Sequence, residues 1–183
     1  MVSSTYQQSI ASDIHGASNV AREHQADLSP LPNRVPEDSS VTVAAGSLLT
    51  TATDYIAFLK YCFNSPYLRS TLLTGSTPLG DFPKTPEAID KIQWGMGMGI
   101  FHAQENIIAF HWGNNPGSHA FSAMNLETGD CITCFVNSMN GPNIFQKLSE
   151  AVVGDMELPF QWLSTYAAFK AASPNEVSIN TTE

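Results

Sequence analysis

Apolar positions recur along this chain at two different periods, and the change falls near Trp94. Before it, Tyr55, Ile56, Leu59, Cys62 and Phe63 fall at helical spacing, behind a capping-box-like start made by Thr51 and Asp54. Pro66 follows soon after the predicted end of that helix. From Trp94 onward the period is two. In GMGMGIF, Met96, Met98 and Ile100 share one face and Gly95, Gly97 and Gly99 the other. A row of glycines in a strand predicts close approach by another backbone or a helix. The runs IIAFHW, SHAFSAMNL and CITCFVN follow, joined by AQEN, GNNPG and ETGD. Four strands at such short spacing predict an antiparallel meander.

Two helices are predicted to close the chain. Pro142 stands near the start of the first, whose apolar stripe is Ile144, Phe145, Leu148, Ala151 and Val152, and Gly154 ends it. The second follows Pro159, with Phe160, Leu163, Ala167 and Lys170 on one side and Trp162, Tyr166 and Phe169 beside them. Residues 70–93 read as loop with one weak helix, broken by Pro78, Pro83 and Pro86. Residues 1–46, punctuated by Pro30, Pro32 and Pro36, read as an irregular arm. Residues 47–172 then form the α+β domain, an antiparallel meander flanked by helices, and 173–183 a polar tail.

Charge narrows the function classes. The chain of 183 residues carries 17 acidic and 8 basic side chains, a net charge of −9. Such a surface repels phosphate backbones and anionic lipid, which argues against nucleic acid or a membrane surface as partner. No apolar run reaches the roughly 18 residues of a membrane-spanning helix. MVSSTYQQSIASDIHG has neither a basic region nor an apolar run, so it does not read as a secretory signal, and the compartment stays open. Cys131 and Cys134 have the spacing of a redox or zinc pair. They lie on a predicted strand, where residues three apart point to opposite faces, and no second pair accompanies them. They read as free thiols, and no metal or cofactor is expected.

Several stretches resemble, in order, those of the serine β-lactamase-like hydrolases, which include class C β-lactamases, penicillin-binding proteins and related esterases and peptidases. MVSSTY is similar to a Gly-Met-x-x-Thr-x-Phe segment, with Ser4 and Tyr6 in the Thr and Phe places. AAGSLLTTATDYIAFLKYC is similar to a Gly turn followed by a capped helix. WGMGMGIF resembles a Tyr-Gly-Leu-Gly-Trp strand, HWGNNPGSHAF the third catalytic motif, and ETGDCITCFVNS the strand after it. The resemblance covers most of residues 1–153.

It implies that His111 faces an active-site cleft and helps to hold substrate or move a proton. Gly113 would let substrate approach, with Trp112 beside it, and Asn114 would offer its backbone N–H to the oxyanion. The physical logic is independent: a backbone donor aimed at developing charge is a large catalytic term, and histidine titrates near neutral pH. The bland reading of His111 is a histidine on the open face of a strand. His15, His24, His102 and His119 are read that way, and Met96 and Met98 as core.

The nucleophile is missing. The family's chemistry rests on Ser-x-x-Lys, and none of Lys60, Lys84, Lys91, Lys147 or Lys170 has a serine three positions before it. No Tyr-x-Asn and no Gly-x-Ser-x-Gly replaces it. The chain therefore resembles the C-terminal half of such a hydrolase, whose whole would cleave an ester, amide or β-lactam. It is expected to be inactive alone and to pair with a second copy or with an N-terminal segment. A histidine rather than a lysine in the third motif tilts the expected substrate from lactam towards ester or amide. The alternatives are a non-catalytic protein that keeps the cleft strand for binding or pairing, and an unrelated α+β binding domain.

Overall fold

A computed structural model describes residues 4–6, 21–31, 44–74, 77–78 and 91–164. His15, Pro83, Pro86, Tyr166, Ala167, Phe169, Lys170 and the tail 173–183 lie outside the described residues. Six strands form one antiparallel sheet in chain order: β1 (Thr77–Pro78), β2 (Ile92–Trp94), β3 (Gly99–Ala103), β4 (Asn106–Asn115), β5 (Ser118–Asn125) and β6 (Cys131–Val136). Helices α1 (Ala52–Asn64) and α2 (Pro66–Leu73) precede it, and α3 (Pro142–Val153) and α4 (Glu157–Leu163) follow. The α+β class and the meander are those the period change predicts.

Strand alternation sorts the core into two layers. One face of the sheet, with Phe101, Ile108, Phe110, Phe121 and Ala123, packs under α3 and α4 through Phe145, Val153, Phe160, Trp162 and Leu163. The other face carries Met98, Ala109 and Met124 against Leu59, Cys62 and Phe63 of α1. Cys131 packs with the second layer and Cys134 with the first, so the two thiols do point to opposite faces. All three tryptophans converge in the first layer. Trp112 lies edge-on to both Trp94 and Trp162, with 5.4 Å between ring centroids in each pair, a favourable geometry for aromatic quadrupoles.

The glycine-rich run differs from its prediction. Residues 95–98 are not a strand but the hairpin between β2 and β3, closed by the Gly95 N–H donating to the Met98 carbonyl at 2.8 Å. Met96 is therefore exposed, while Met98 is buried. Period-two counting ran through the turn because alternating Gly and Met carries no break of its own. Close approach by a helix is nevertheless real at Gly95, and at Gly99 the close neighbour is a side chain. A Cβ on Gly95 would overlap the backbone carbonyl of Leu72 in α2, and one on Gly99 would lie 2.5 Å from the Phe110 ring. Gly97 answers a different need, a φ of +87° that favours glycine.

The helices show two further differences. Thr51 caps α1, its hydroxyl accepting from the Asp54 N–H at 3.2 Å. Pro66, expected only to stop that helix, also opens α2, with Ser65 as its cap. Proline at the first helical position costs no hydrogen bond. On α3 the expected stripe is out of phase. Phe145, Ser149 and Val153 are the buried face, and Ser149 satisfies its hydroxyl on the Phe145 carbonyl. Ile144, Leu148 and Val152 form an outer row, 45%, 41% and 41% exposed. A buried serine and five apolar neighbours look alike to a periodicity count. Helix α4 starts at Glu157, before Pro159 rather than after it.

Replacing Gly95 by Ala places a methyl against a backbone atom that cannot rotate away. Gly95→Ala is expected to cost about 1–3 kcal/mol, read as a lower urea midpoint with unchanged slope. An unchanged midpoint would mean that α2 does not lie against this hairpin.

Candidate functional site

Strand β4 runs farther than its neighbour. Its register with β3 ends at the Gly99–Phe110 pair, whereas its register with β5 continues to Asn115–Ser118. Among the described residues, His111 to Asn115 are thus flanked by a strand on the β5 side only. The loop expected at GNNPG shortens to Pro116 and Gly117, and Gly113, Asn114 and Asn115 belong to the strand. Gly117 has a φ of +76° and no room for a Cβ, which would run into Leu31.

On the α1 side of this overhang, His111, Gly113 and Asn115 stand in a row, opposite Ser122, Ala120 and Ser118. Thr133 and Phe135 of β6 continue the rows. Tyr55 of α1 and the backbone around Gly46 to Thr51 rise over them and enclose a cleft of about 720 Å³. That volume suits a small molecule. Ser122 is buried in its floor and shares a hydrogen bond with the buried Thr133 on the neighbouring strand, 3.1 Å between hydroxyls.

His111 is half-buried, its ring 5.6 Å from that of Trp94 and 5.7 Å from that of Trp112. Burial pushes its pKa below the ordinary 6.5, and a hydrogen bond at the Trp112 backbone opposes this in part. The imidazole is therefore neutral at pH 7, free to accept or share a proton but not to act as a fixed cation. His119 is buried on the opposite face, beside the Ser138 carbonyl at 3.2 Å, and burial lowers its pKa as well.

The far wall is pinned by hydrogen bonds between segments remote in sequence. Thr5 and Leu49 exchange backbone bonds of 2.8 and 2.7 Å. The Ser4 hydroxyl donates to the buried Asp54 carboxylate at 2.9 Å and lies 2.6 Å from the Thr50 hydroxyl. Residues 21–31 strap the β4–β5 hairpin. The Met139 N–H donates to the His24 carbonyl at 3.1 Å, and the side-chain amides of Asn137 and Asn140 donate to the carbonyls of Arg22 and Ala26 at 2.7 and 2.9 Å.

The fold thus brings His111 and Gly113 to the cleft floor. Trp112 borders the cleft, but its side chain packs into the tryptophan cluster on the other face. Asn114 is an exposed residue of β4 paired with His119, its side chain on the face away from His111. Ser122, Tyr55 and Phe135 were not singled out from the sequence. Tyr55 reads there as a helix position and Ser122 as a polar break in a strand, and only cross-strand register puts them around His111. Among the described residues no group of three or more His, Cys, Asp or Glu could hold a metal ion, and no helix is long and apolar enough to cross a membrane.

Gly113 differs from most glycines of this sheet. Its φ is not in the left-handed region, and a Cβ there would meet only the Ala120 Cβ, at an ordinary 3.5 Å. Neither backbone nor packing requires a glycine. Its effect is to leave the cleft floor bare beside His111.

No family model and no curated protein matches the chain. Among solved structures, it is similar to D-amino acid amidase from Ochrobactrum anthropi SV3, complexed with D-phenylalanine. The identity is 21% and the TM-score 0.44, over 64% of this chain. The match spans 37% of that protein's length.

Depressed histidine pKa values carry a stability consequence. Below the ordinary value of 6.5 the unfolded chain protonates His111 and His119 before the fold does. Stability is therefore full above about pH 6.5 and is lost as pH falls towards the folded values. The urea midpoint is expected to drop between about pH 7.5 and 5.5. The double variant His111→Gln, His119→Gln should flatten that drop. An equal drop in the variant would exclude these imidazoles as its source.

Proposed function

We propose that the cleft is the sheet side of a β-lactamase-like serine-hydrolase site, shaped to hold a small ester or amide, and that this chain alone forms no acyl-enzyme. The bare floor at Gly113 carries this reading. The fold gives the position no reason to lack a side chain, whereas a carbonyl group approaching a strand edge does. The meeting of three stretches that resemble the family in sequence adds support: Ser4 is hydrogen-bonded to Thr50 and Asp54, and Thr5 and Gly46 line the cleft together with His111 and Gly113.

In this reading His111, neutral at pH 7, takes or returns the proton of the reacting hydroxyl. Gly113 admits the carbonyl, and the backbone N–H of Asn114 supports the oxyanion. Acyl transfer still needs a hydroxyl nucleophile and a base of the Ser-x-x-Lys kind, and the sequence contains no such motif. Without a nucleophile only binding and oxyanion effects remain. The same absence favours a second reading, a non-catalytic protein that binds its ligand in the retained cleft. The outer row of Ile144, Leu148 and Val152 on α3 supports pairing with a second copy or an N-terminal segment, since an apolar stripe of this kind is stabilised by cover.

Intact-mass labelling with a fluorophosphonate tests the chemistry. No adduct is expected on the chain or on His111→Ala. A stoichiometric adduct would reveal a reactive serine, and its mapped position would overturn the assignment. Light scattering tests the pairing, with a species larger than one chain expected. A monodisperse monomer would remove the pairing proposal.

A further inference from the structure

The cleft has an aromatic side that the hydrolase reading does not use. Tyr55 and Phe135 line it, with ring centroids 5.8 Å apart at 72°. Phe58 continues the series outward, 5.7 Å from Tyr55. Phe135 and Phe58 are 39% and 41% exposed. Phe135 stands on β6 in the row of Gly113 and Ala120 and lines the cleft with them. A large aromatic left half-exposed in a concave wall, beside positions kept as small as Gly113 and Ala120, forms a slot rather than a filled core.

Charge points the same way. Among the described lining residues there is no lysine or arginine, and the one carboxylate is that of Glu23. His111 contributes no fixed positive charge. An anionic ligand would find no counter-ion here and would face a carboxylate.

Resting on the reading of the cleft as a ligand site, we propose that it takes an uncharged ligand with an aromatic group, the ring seated against Phe135 and Tyr55 and a polar amide or ester group over Gly113. The slot selects aromatic over small aliphatic groups by ring contact. It selects neutral over anionic ligands by charge.

The test is a chemical-shift titration of the whole chain with three probes: N-acetylphenylalaninamide, N-acetylalaninamide and the N-acetylphenylalanine anion. The aromatic amide is expected to bind about three- to tenfold more tightly than the alanyl amide, the range that an aromatic pair contributes, and more tightly than the anion. Phe135→Ala should bring the two amides to within about twofold of each other. Phe135→Leu, which keeps the bulk without the ring, should fall between. Phe135 is partly exposed, so a thermal melt of each variant confirms that the fold is retained. Gly113→Val, which fills the floor, should abolish binding of both amides.

Equal binding of the two amides, unaffected by Phe135→Ala but lost in Gly113→Val, overturns the aromatic slot and leaves the cleft reading standing. Tighter binding of the anion than of the aromatic amide overturns the charge selection. Binding of none of the probes, or binding unchanged by Gly113→Val, overturns the cleft reading and the inference with it.

Discussion

The cleft depends on one register relation: β4 and β5 pair to the Asn115–Ser118 closure, while β3 stops at Gly99. The β2–β3 hairpin turns the chain away at Met98, so among the described residues the last five of β4 have a strand on the β5 side only. Without that overhang His111 and Gly113 would have β3 beside them as well as β5. The overhang in turn needs a two-residue turn at its tip, and the left-handed φ of Gly117 supplies it. The 21–31 strap, bonded to the residues after β6, holds the hairpin tip, and the Thr5–Leu49 bridge closes the far wall. Topology, turn chemistry and site are therefore one arrangement.

The two faces of β4 divide the labour. Phe110 and Trp112 point into the layer under α3 and α4, where Trp94, Trp162, Phe121, Phe145 and Phe160 fix their positions. His111 and Gly113 belong to the cleft face, and the His111 ring is held against Trp94 and Trp112 of that cluster. Buried polar residues on this face are affordable only because they satisfy one another. Ser122 and Thr133 share a hydrogen bond, and a buried hydroxyl left without one would cost roughly 1–3 kcal/mol. Removing either would cost more than the bond itself, since the partner hydroxyl would remain dry and unpaired.

Much of this architecture is legible in the sequence, and the failures have specific causes. The period of two finds β3 to β6 and their order, because each strand has one face that alternates against a distinct layer. It fails at residues 95–98, where glycine and methionine alternate through a turn. The helical period finds α1 and α3 but chooses the wrong face of α3, because the buried Ser149 satisfies its own hydroxyl on the Phe145 carbonyl and so behaves as a small apolar residue. Helix α2 escapes because a proline serves as start and stop signal alike. At the site, His111 and Gly113 could be named from local sequence. Tyr55, Ser122 and Phe135 could not, since they reach the cleft only through cross-strand register and the docking of α1 on β6.

A strand of this kind can supply recognition without supplying reaction. Oxyanion support and proton handling lower a barrier only after a nucleophile has been placed in reach, and their effects are not additive with it. A half-buried neutral imidazole, a bare floor and an aromatic wall form a binding surface that is useful with or without a serine. The burial that gives the imidazole its depressed pKa also removes the positive charge that would hold a carboxylate. The same local environment thus sets two properties at once, the proton state of His111 and the kind of ligand admitted. Lysine at this position would keep its charge by reaching water or a counter-ion, and would turn the cleft towards anions. Histidine packed beside two tryptophans keeps the cleft neutral, and the preference for uncharged ligands follows from where the ring is buried.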